Sequence, residues 1–195
     1  MLSLLKDKTT YSKVIIKTLP LVIVSVTARS SLTAGIISLI AVCLSAVAVT
    51  LLKPFLNEKT APFAKIIISI GVVGSLTMLG SLFIKEIIDD MAVYLPLISL
   101  TTVLLTDTKQ LLNTTPVNSL KLSAFLGGLS ADLLFTVGIL RELLGSGSFF
   151  GLDVYTKVFS PMVFFLTPAG ALFIVGLMAI GYNLLASYLE KRCRL

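Results

Sequence analysis

The stretch that decides the fold is LPLVIVS at residues 19–25, because a similar stretch, LPLISLT, occurs 76 residues later at residues 95–101. Each copy begins a short apolar run, and two longer apolar segments follow each run. Three membrane segments followed by three more predict an internal duplication, and an odd number per half makes the second half cross the bilayer in the opposite sense. This inverted repeat is typical of membrane carriers, whose function is located where short, broken segments meet near the midplane.

The composition places the chain in a membrane. Of its 195 residues, 56% are hydrophobic and 13% are charged, whereas a soluble domain carries about 25% charged residues. A soluble enzyme is therefore excluded, and we interpret the net charge of +6 as a signal of topology rather than of nucleic-acid binding. The sequence has no histidine, so it lacks the commonest metal ligand and the usual proton shuttle.

Six apolar segments predict an all-α integral membrane protein with six transmembrane helices in a 3+3 inverted repeat. We expect one domain over residues 1–195, with repeat halves at about 12–84 and 91–188. The first and fourth segments are shorter than the roughly 20 residues that a spanning helix needs. Helices 1 and 4 are therefore predicted to be short or broken, and to be enclosed by protein or to line a polar cavity. The six segments are residues 18–28, 32–52, 66–84, 91–106, 122–140 and 161–188.

The basic residues predict the orientation. If both termini are cytoplasmic, twelve of the 16 Lys and Arg residues, Lys65 among them, lie on the cytoplasmic side and four lie on the other side. This bias follows the positive-inside rule. It predicts a multi-pass protein of the bacterial cytoplasmic (inner) membrane with both termini in the cytoplasm.

A secretory signal peptide is the competing interpretation of the N-terminal region. Residues 6–17 are basic, residues 18–26 are apolar, and residues 26–28 resemble a cleavage site. The apolar core recurs at residue 95, however, where no signal peptide can be. Its removal would also leave five spans and place the basic tails on opposite sides, so the membrane-segment interpretation is the stronger one.

A carboxylate inside an apolar segment is the clearest candidate for a functional group. Asp132 lies in the fifth segment, and a charge at membrane depth is unfavourable unless it faces protein or water. Asp132 is predicted to belong to an ion or proton path, or else to be an interfacial residue paired with a lysine or arginine. Arg141 and Glu142 end the same segment. Adjacent residues do not face each other on a helix, so we expect their partners on other chains or in lipid head groups.

Small residues in the fifth segment predict caps and close contacts. Gly145 and Gly147 follow the apolar run, as capping glycines do at helix C-termini. A lone GxG with no preceding strand is only a weak signal for a nucleotide site. Gly127, Gly128 and Gly138 lie within the segment and are predicted to permit close packing of helices.

The remaining polar and proline residues in the apolar segments are predicted to have structural roles. Thr101 and Thr102 are expected to bond their own helix backbone rather than an ion. Pro168 is expected to kink the sixth segment. Cys43 lies within the second segment and Cys193 in the C-terminal tail, and we expect neither a disulfide between them nor a CxxC metal motif.

One motif is specific enough to suggest a family. The sequence GILRELLGSGSFFG at residues 138–151 resembles a segment of the Rnf/Nqr membrane subunits, in which an LRE triplet, two apolar residues and a GxG precede a phenylalanine. Matches at residues 19–21, 94–98 and 167–171 follow the family in the right order, so the resemblance covers nearly the whole chain. The chain most resembles the E-type subunit of Rnf and the D-type subunit of Nqr.

The resemblance implies a membrane subunit of an ion-translocating electron-transport complex, a translocase that couples electron transfer to Na⁺ or H⁺ movement. Such a subunit is non-catalytic alone and pairs in the lipid bilayer with a sister subunit of opposite orientation. Two rival hypotheses have no redox role. One is an inverted-repeat transporter or channel, and the other is a membrane scaffold or assembly factor.

In that family, cysteines from the two short helices of each subunit hold a [2Fe-2S] cluster at the midplane. Leu19 and Thr102 occupy the two cysteine positions here, and Thr101 replaces the asparagine before the second one. Cluster iron is held by thiolates, so we expect this chain alone to bind no cofactor or metal, and any [2Fe-2S] cluster to depend on a partner subunit. The ion-path or family-motif candidates are Thr101, Asp132, Arg141, Glu142, Gly145 and Gly147.

Overall fold

The computed structural model of the protein describes residues 8–57, 59–82, 95–150, 152–153 and 162–193, and this part of the chain is nearly all helical. Two 3₁₀-helices and a pair of two-residue antiparallel strands accompany the α-helices. The predicted all-α class is therefore confirmed. The elements are α1 (Lys8–Val22), α2 (Ala28–Leu51), a 3₁₀-helix (Lys53–Phe55), α3 (Ala61–Ser81), α4 (Leu95–Leu105), α5 (Thr108–Leu112), α6 (Pro116–Gly145), β1 (Ser148–Phe149), β2 (Leu152–Asp153), a second 3₁₀-helix (Val163–Leu166) and α7 (Pro168–Cys193).

Three of the described helices are long and apolar enough to cross a membrane. They are α2, α3 and α6, with 24, 21 and 30 residues, against the roughly 20 residues that the hydrocarbon core requires. Shorter apolar helical stretches run over Pro96–Leu105 and Pro168–Tyr182. The protein is therefore a multi-pass membrane protein, and the 3+3 arrangement of six spans stays a prediction.

Helix starts follow local sequence signals. Thr27 caps α2: its hydroxyl oxygen accepts from the Ser30 backbone, and the Ser30 hydroxyl accepts from the Thr27 backbone, which makes a capping box. Proline occupies the first turn of α3 and the first position of α6, where its missing N–H is not needed. Pro168 is likewise the first residue of α7. The predicted interruption of the sixth segment at Pro168 is confirmed. It separates a 3₁₀-helix (Val163–Leu166) from α7 and is not a kink within one helix.

The first predicted segment, residues 18–28, also differs from the structure. α1 begins earlier and ends at Val22, and the chain then turns before α2 starts at Ala28. The two repeated prolines fall at different places in their helices. Pro20 is near the C-terminal end of α1, whereas Pro96 is the second residue of α4 as described.

The helices α2 and α6 pack against each other in antiparallel directions at very short range. A Cβ atom added to Gly35 would lie 3.3 Å from the Ala131 Cβ, and one added to Gly127 would lie 3.3 Å from the Leu39 Cα. Small residues let helix backbones approach this closely in a membrane, where dispersion contacts replace the hydrophobic effect between helices. We call this contact the small-residue seam, defined by Ser31, Gly35, Gly127, Ala131 and Gly138.

The end of the small-residue seam near Arg141 is its tightest part. A Cβ on Gly138 would overlap the Ser31 Oγ, so any side chain there forces the helices apart. The predicted packing role is thus confirmed for Gly127 and Gly138. It is wrong for Gly128, which has no atom within 4 Å of an added Cβ.

The apolar core is built from α1, α2, α3, α4, α6 and α7. Its fully buried members include Leu21 of α1, Ala41 of α2, Ile98 of α4, Leu134 of α6 and Ala171 of α7. The short helices are therefore held in the centre of the described structure, with the long helices around them.

Candidate functional site: the ends of two short helices

The two short helices that carry the repeated leucine-proline stretch, α1 and α4, pack against each other. Leu19 and Leu97 both border the central core, next to the buried Leu21 and Ile98. The C-terminal carbonyl groups of a helix have no partner within the helix, and water is not available to them at membrane depth. Each short helix therefore needs a donor from elsewhere at its C-terminal end.

Arg141, in the last turns of α6, supplies that donor for α1. The side chain is 1% exposed, and its Nη1 donates to the backbone carbonyl oxygen of Ser25 at 2.7 Å. The same nitrogen lies 3.3 Å from the Val22 carbonyl oxygen and 3.4 Å from that of Ile23. The guanidinium group thus binds the last carbonyl group of α1 and the turn that follows it. The Val22 carbonyl oxygen also accepts from the Ser25 N–H and hydroxyl.

The opposite side of the same guanidinium group binds the chain just before α7. Its Nε donates to the Phe165 carbonyl oxygen at 3.0 Å, and its Nη2 donates to those of Leu166 at 2.8 Å and Thr167 at 3.3 Å. A planar group with five donors in fixed directions can serve two segments at once, which an ammonium group cannot do as well. Arg141 therefore joins the ends of two separate segments to α6.

Glu142 binds the N-terminal end of α2. Its Oε2 accepts from the backbone N–H of Ala28 at 2.7 Å, and its Oε1 accepts from the Ser148 hydroxyl at 3.3 Å. Ala28 is the first residue of α2, where the helix dipole favours a negative charge. The side chain is 3% exposed. Consecutive residues of α6 thus bind the end of α1 and the start of α2.

These contacts correct the expectation that Arg141 and Glu142 bind other chains or lipid head groups. Both side chains are buried and bind groups of their own chain, 116 residues away at Ser25 and 114 residues away at Ala28. From the sequence, adjacency on one helix shows only that the side chains of Arg141 and Glu142 do not pair with each other. The sequence does not show that α1 and α2 pack against α6 and bring Ser25 and Ala28 close to them.

The glycines after Glu142 shape the turn that leaves α6. A Cβ on Gly145 would lie 2.7 Å from the Leu166 Cγ, so this last helical residue has no room for a side chain. Gly147 has φ of 69°, the left-handed region that glycine adopts readily. The turn places Ser148 against Glu142, and the predicted capping chemistry is thus observed at Gly147.

Lys65 is a buried residue that the sequence pattern alone does not identify. Its side chain is 1% exposed, and its Nζ donates to the carbonyl oxygen of Val103 at 2.7 Å and also to that of Thr106, at the C-terminal end of α4. The charge pattern places it with the cytoplasmic basic residues instead. Pro62 is the one signal in the sequence that could have identified Lys65 as a helix residue. A proline is common at a helix start, so it would place Lys65 in the first turns of α3 rather than in the loop before it.

Thr101 and Thr102 bond their own helix, as predicted. Their hydroxyls donate to the carbonyl oxygens of Leu97 and Ile98, each at 2.8 Å. Both side chains are buried. Back-bonding of this kind satisfies a hydroxyl in an apolar setting without another partner.

Asp132 lies apart from this group. It is exposed on α6, 13 residues before Gly145, which is about 20 Å along the helix axis. Among the residues that the structure describes, none forms an ion pair or a side-chain hydrogen bond with its carboxylate. The structure therefore brings Arg141, Glu142, Gly145 and Gly147 together and leaves Asp132 on the outer surface.

The two positions at which the resemblance implies cluster ligands do not fit a [2Fe-2S] cluster. Leu19 is part of the apolar packing around the core, and the Thr102 hydroxyl donates to its own helix. Neither supplies a thiolate. Cys43 is a free cysteine on α2 beside Ser123. Within the described ranges, no group of three or more Cys, Asp or Glu side chains could hold a metal ion.

Comparison with known proteins identifies the family of the chain. The sequence model of a family described as "Rnf-Nqr subunit, membrane protein" matches residues 3–179. The chain is 23% identical over 170 residues, 85% of its length and 78% of the relative's, to the E-type subunit of the proton-translocating ferredoxin:NAD(+) oxidoreductase complex of Clostridium ljungdahlii. It is 26% identical over 188 residues, 89% of its length and 79% of the relative's, to the E-type subunit of the ion-translocating oxidoreductase complex of Cellvibrio japonicus.

A third relative has a similar share of matched length. The chain is 22% identical over 160 residues, 82% of its length and 82% of the relative's, to the E-type subunit of the Na(+)-translocating ferredoxin:NAD(+) oxidoreductase complex of Acetobacterium woodii. The helices and their internally bound ends define a multi-pass membrane subunit. The chain belongs to the Rnf-Nqr family of membrane subunits, as its sequence motifs predicted.

Proposed function

We propose that this chain is the E-type membrane subunit of an Rnf-like ion-translocating electron-transport complex in a bacterial inner membrane. The observation that carries the proposal is the extent of the match. The family model covers residues 3–179, and three relatives named as E-type subunits match 85%, 89% and 82% of the chain. On this proposal the chain is non-catalytic alone and acts as part of the larger oxidoreductase.

The proposed architecture is a single domain over residues 1–195 with six spans. Its halves, at about 12–84 and 91–188, cross the bilayer in opposite senses, and both termini are cytoplasmic. The twelve-to-four distribution of basic residues supports this orientation. Because the distribution favours one orientation, the partner is a different subunit with the opposite orientation rather than a second copy of this chain.

The proposed division of roles follows the burial of the site residues. Arg141, Glu142, Gly145 and Gly147 hold helix ends and turns in place, since their contacts lie inside the chain. Asp132 is the proposed ion-path group, because an exposed carboxylate halfway along a membrane helix is unfavourable unless water, an ion or a partner faces it. Thr101 is a secondary candidate near the end of α4.

Electron transfer through the complex does not use a cluster ligand from this chain on our proposal. With Leu19 and Thr102 at the family's cysteine positions, any [2Fe-2S] cluster near these helices is held by thiolates of a partner subunit. A transporter, channel or scaffold without a redox role is the second candidate, and the absence of thiolates at both positions favours it specifically.

Purification from the native membrane through an affinity tag on this chain tests the proposal. Co-purifying subunits are identified by mass spectrometry, and iron content and the EPR spectrum are measured on the same sample. We expect other membrane and redox subunits of an Rnf-like complex, with any [2Fe-2S] signal lost when the partner's cysteines are replaced. A preparation with neither iron nor redox subunits would reject the proposal in favour of the second candidate. A matched preparation carrying Asp132→Asn should retain the same subunits but lose coupled ion transport in vesicles.

A further inference from the structure

The C-terminal end of α4 is surrounded by oxygen atoms and contains one buried positive charge. The Lys65 ammonium group binds the carbonyl oxygens of Val103 and Thr106, which belong to the negative end of the helix dipole. An ammonium group has three N–H donors, and the two carbonyl oxygens account for two of them.

Two further oxygen atoms in this region have no hydrogen-bond partner. The described residues contain three buried side-chain oxygens of this kind, and two of them are Thr106 Oγ1 and Ser69 Oγ. Thr106 is 3% exposed and Ser69 is 0% exposed. Thr106 also provides a carbonyl oxygen to Lys65, and Ser69 follows Lys65 by one turn of α3. Buried hydroxyls without partners are uncommon in folded proteins. One of these belongs to a residue that binds Lys65 through its carbonyl oxygen, and the other lies one turn after Lys65 on α3, so they require an explanation.

An ion pair between Asp107 and Lys17 lies at the edge of this region. Asp107 directly follows Thr106, and its carboxylate interacts favourably with the Lys65 ammonium group. Lys17 of α1, whose Nζ lies 3.3 Å from the Asp107 carboxylate, offsets part of that interaction. Carbonyl, hydroxyl and carboxylate oxygens are the ligands that hard cations prefer, and the C-terminal ends of short membrane helices are places where such ligands gather.

We propose that the end of α4 is a binding site for a small monovalent cation and that the Lys65 ammonium group is its permanent occupant. The site consists of the carbonyl oxygens of Val103 and Thr106, with the hydroxyls of Thr106 and Ser69 beside them. Because the cation is attached to the chain, α4 keeps its position without a free ion. If Lys65 is shortened, Na⁺, K⁺ or a small alkylammonium ion takes the place of its ammonium group. This inference does not depend on the proposed function, since it concerns contacts within one chain.

Lys65→Ala tests the inference in the purified full-length chain in nanodiscs. Thermal unfolding is followed by size-exclusion chromatography after heating, with NaCl, KCl, methylammonium chloride or choline chloride at constant ionic strength. In choline the variant should have a lower Tm than the wild type. A saturating small cation should raise its Tm by roughly 5–10 °C, whereas the wild type should respond equally to all four salts. Lys121→Ala, which removes an exposed lysine of α6, is the matched control and should behave as the wild type.

Radioactive ²²Na⁺ or ⁸⁶Rb⁺ provides a direct measurement. We expect one more saturable site per chain in Lys65→Ala than in the wild type, with the affinity of that additional site reduced about tenfold when Thr106→Val is added. If Lys65→Ala gives no folded protein in choline, the same variant is prepared in methylammonium, where the proposal requires folded protein. Failure to fold in every cation, equal stability of the variant in choline and Na⁺, or no more cation bound by the variant than by the wild type would each overturn the proposal.

Discussion

The Nη1 atom of Arg141 lies 2.7 Å from the backbone carbonyl oxygen of Ser25, although 116 residues separate the two in sequence. The same guanidinium group also binds the Leu166 carbonyl oxygen at 2.8 Å. One side chain therefore connects the turn after α1, the last turns of α6 and the segment before α7. The contacts with these two segments are with backbone atoms, so they do not depend on which side chains the segments carry.

Replacement of Arg141 should destabilise the protein more than replacement of any exposed basic residue does. Arg141→Lys keeps the charge but cannot reach both segments with a planar group, and Arg141→Met leaves several buried carbonyl groups without donors. Each unsatisfied buried group costs about 1–3 kcal/mol. We expect a clear loss of Tm for Arg141→Lys and a larger one, or loss of the folded protein, for Arg141→Met, measured by chromatography after heating. Arg29→Lys, at an exposed position on α2, should have no measurable effect.

Two substitutions of Glu142 should separate the contribution of its charge to stability from the contribution of its hydrogen bonds. Glu142→Gln keeps an acceptor for the Ala28 N–H but removes the negative charge at the start of α2. We expect it to lower stability by about 1 kcal/mol. Glu142→Ala removes both and should cost more, because the Ala28 N–H and the Ser148 hydroxyl also lose their acceptor. Equal Tm values for the two variants would show that the hydrogen bonds add nothing beyond the charge.

Gly138 should tolerate no side chain. In Gly138→Ala the new methyl group would overlap the Ser31 Oγ and lie 2.5 Å from the Ser31 Cβ, so α2 and α6 must separate and stability must fall. Gly128→Ala is the matched control on the same helix. Its methyl group meets no atom within 4 Å, and the better helix propensity of alanine should leave it neutral or stabilised by up to about 1 kcal/mol.

A second substitution checks the cause of the Gly138→Ala effect. Ser31→Gly removes both atoms that the new methyl group would meet, so the double variant should recover much of the lost Tm. The Thr27 carbonyl oxygen would remain 3.1 Å from the new methyl group, so recovery should be incomplete. A double variant no more stable than Gly138→Ala alone would mean that the steric explanation is wrong.

Replacement of Asp132 should affect ion transport by the assembled complex but not the stability of the isolated chain. Its carboxylate is exposed and has no ion-pair partner among the described residues, so Asp132→Asn should change the stability of the purified chain by less than about 0.5 kcal/mol. Ion transport by vesicles that contain the assembled complex should fall. A large loss of Tm in the isolated chain, with transport unchanged, would argue instead for a structural role.

The sequence is most informative where one residue acts within its own helix. The apolar segments predict the helical class, the threonines of α4 bond their own backbone as expected, and Gly127 and Gly138 pack as small residues do. Contacts between distant segments are not accessible in this way. Lys65 reads as part of a cytoplasmic loop because a lysine next to an apolar run usually marks the membrane edge. Its actual partners, Val103 and Thr106, are identified only once α3 and α4 are known to be neighbours.

Asp132 is a second residue whose position in the structure could not be predicted from the sequence. Its charge identifies it as a candidate from sequence alone, but periodicity does not place it on the outer face of α6. The hydrophobic residues of α6 are distributed around the helix, because one face meets the seam and the other faces outward. Pattern alone therefore does not distinguish the two faces.

The small-residue seam also limits which parts of the protein can move during turnover. A slide of one helical turn, about 5.4 Å, would push Leu39 and Ala131 into residues larger than glycine, and it would carry Arg141 away from the Ser25 carbonyl oxygen. The α2–α6 pair is therefore expected to move as one rigid unit. A displacement of α1 relative to this unit would break the contact of Arg141 with Ser25, and a displacement of α4 relative to α3 would break the contacts of Lys65.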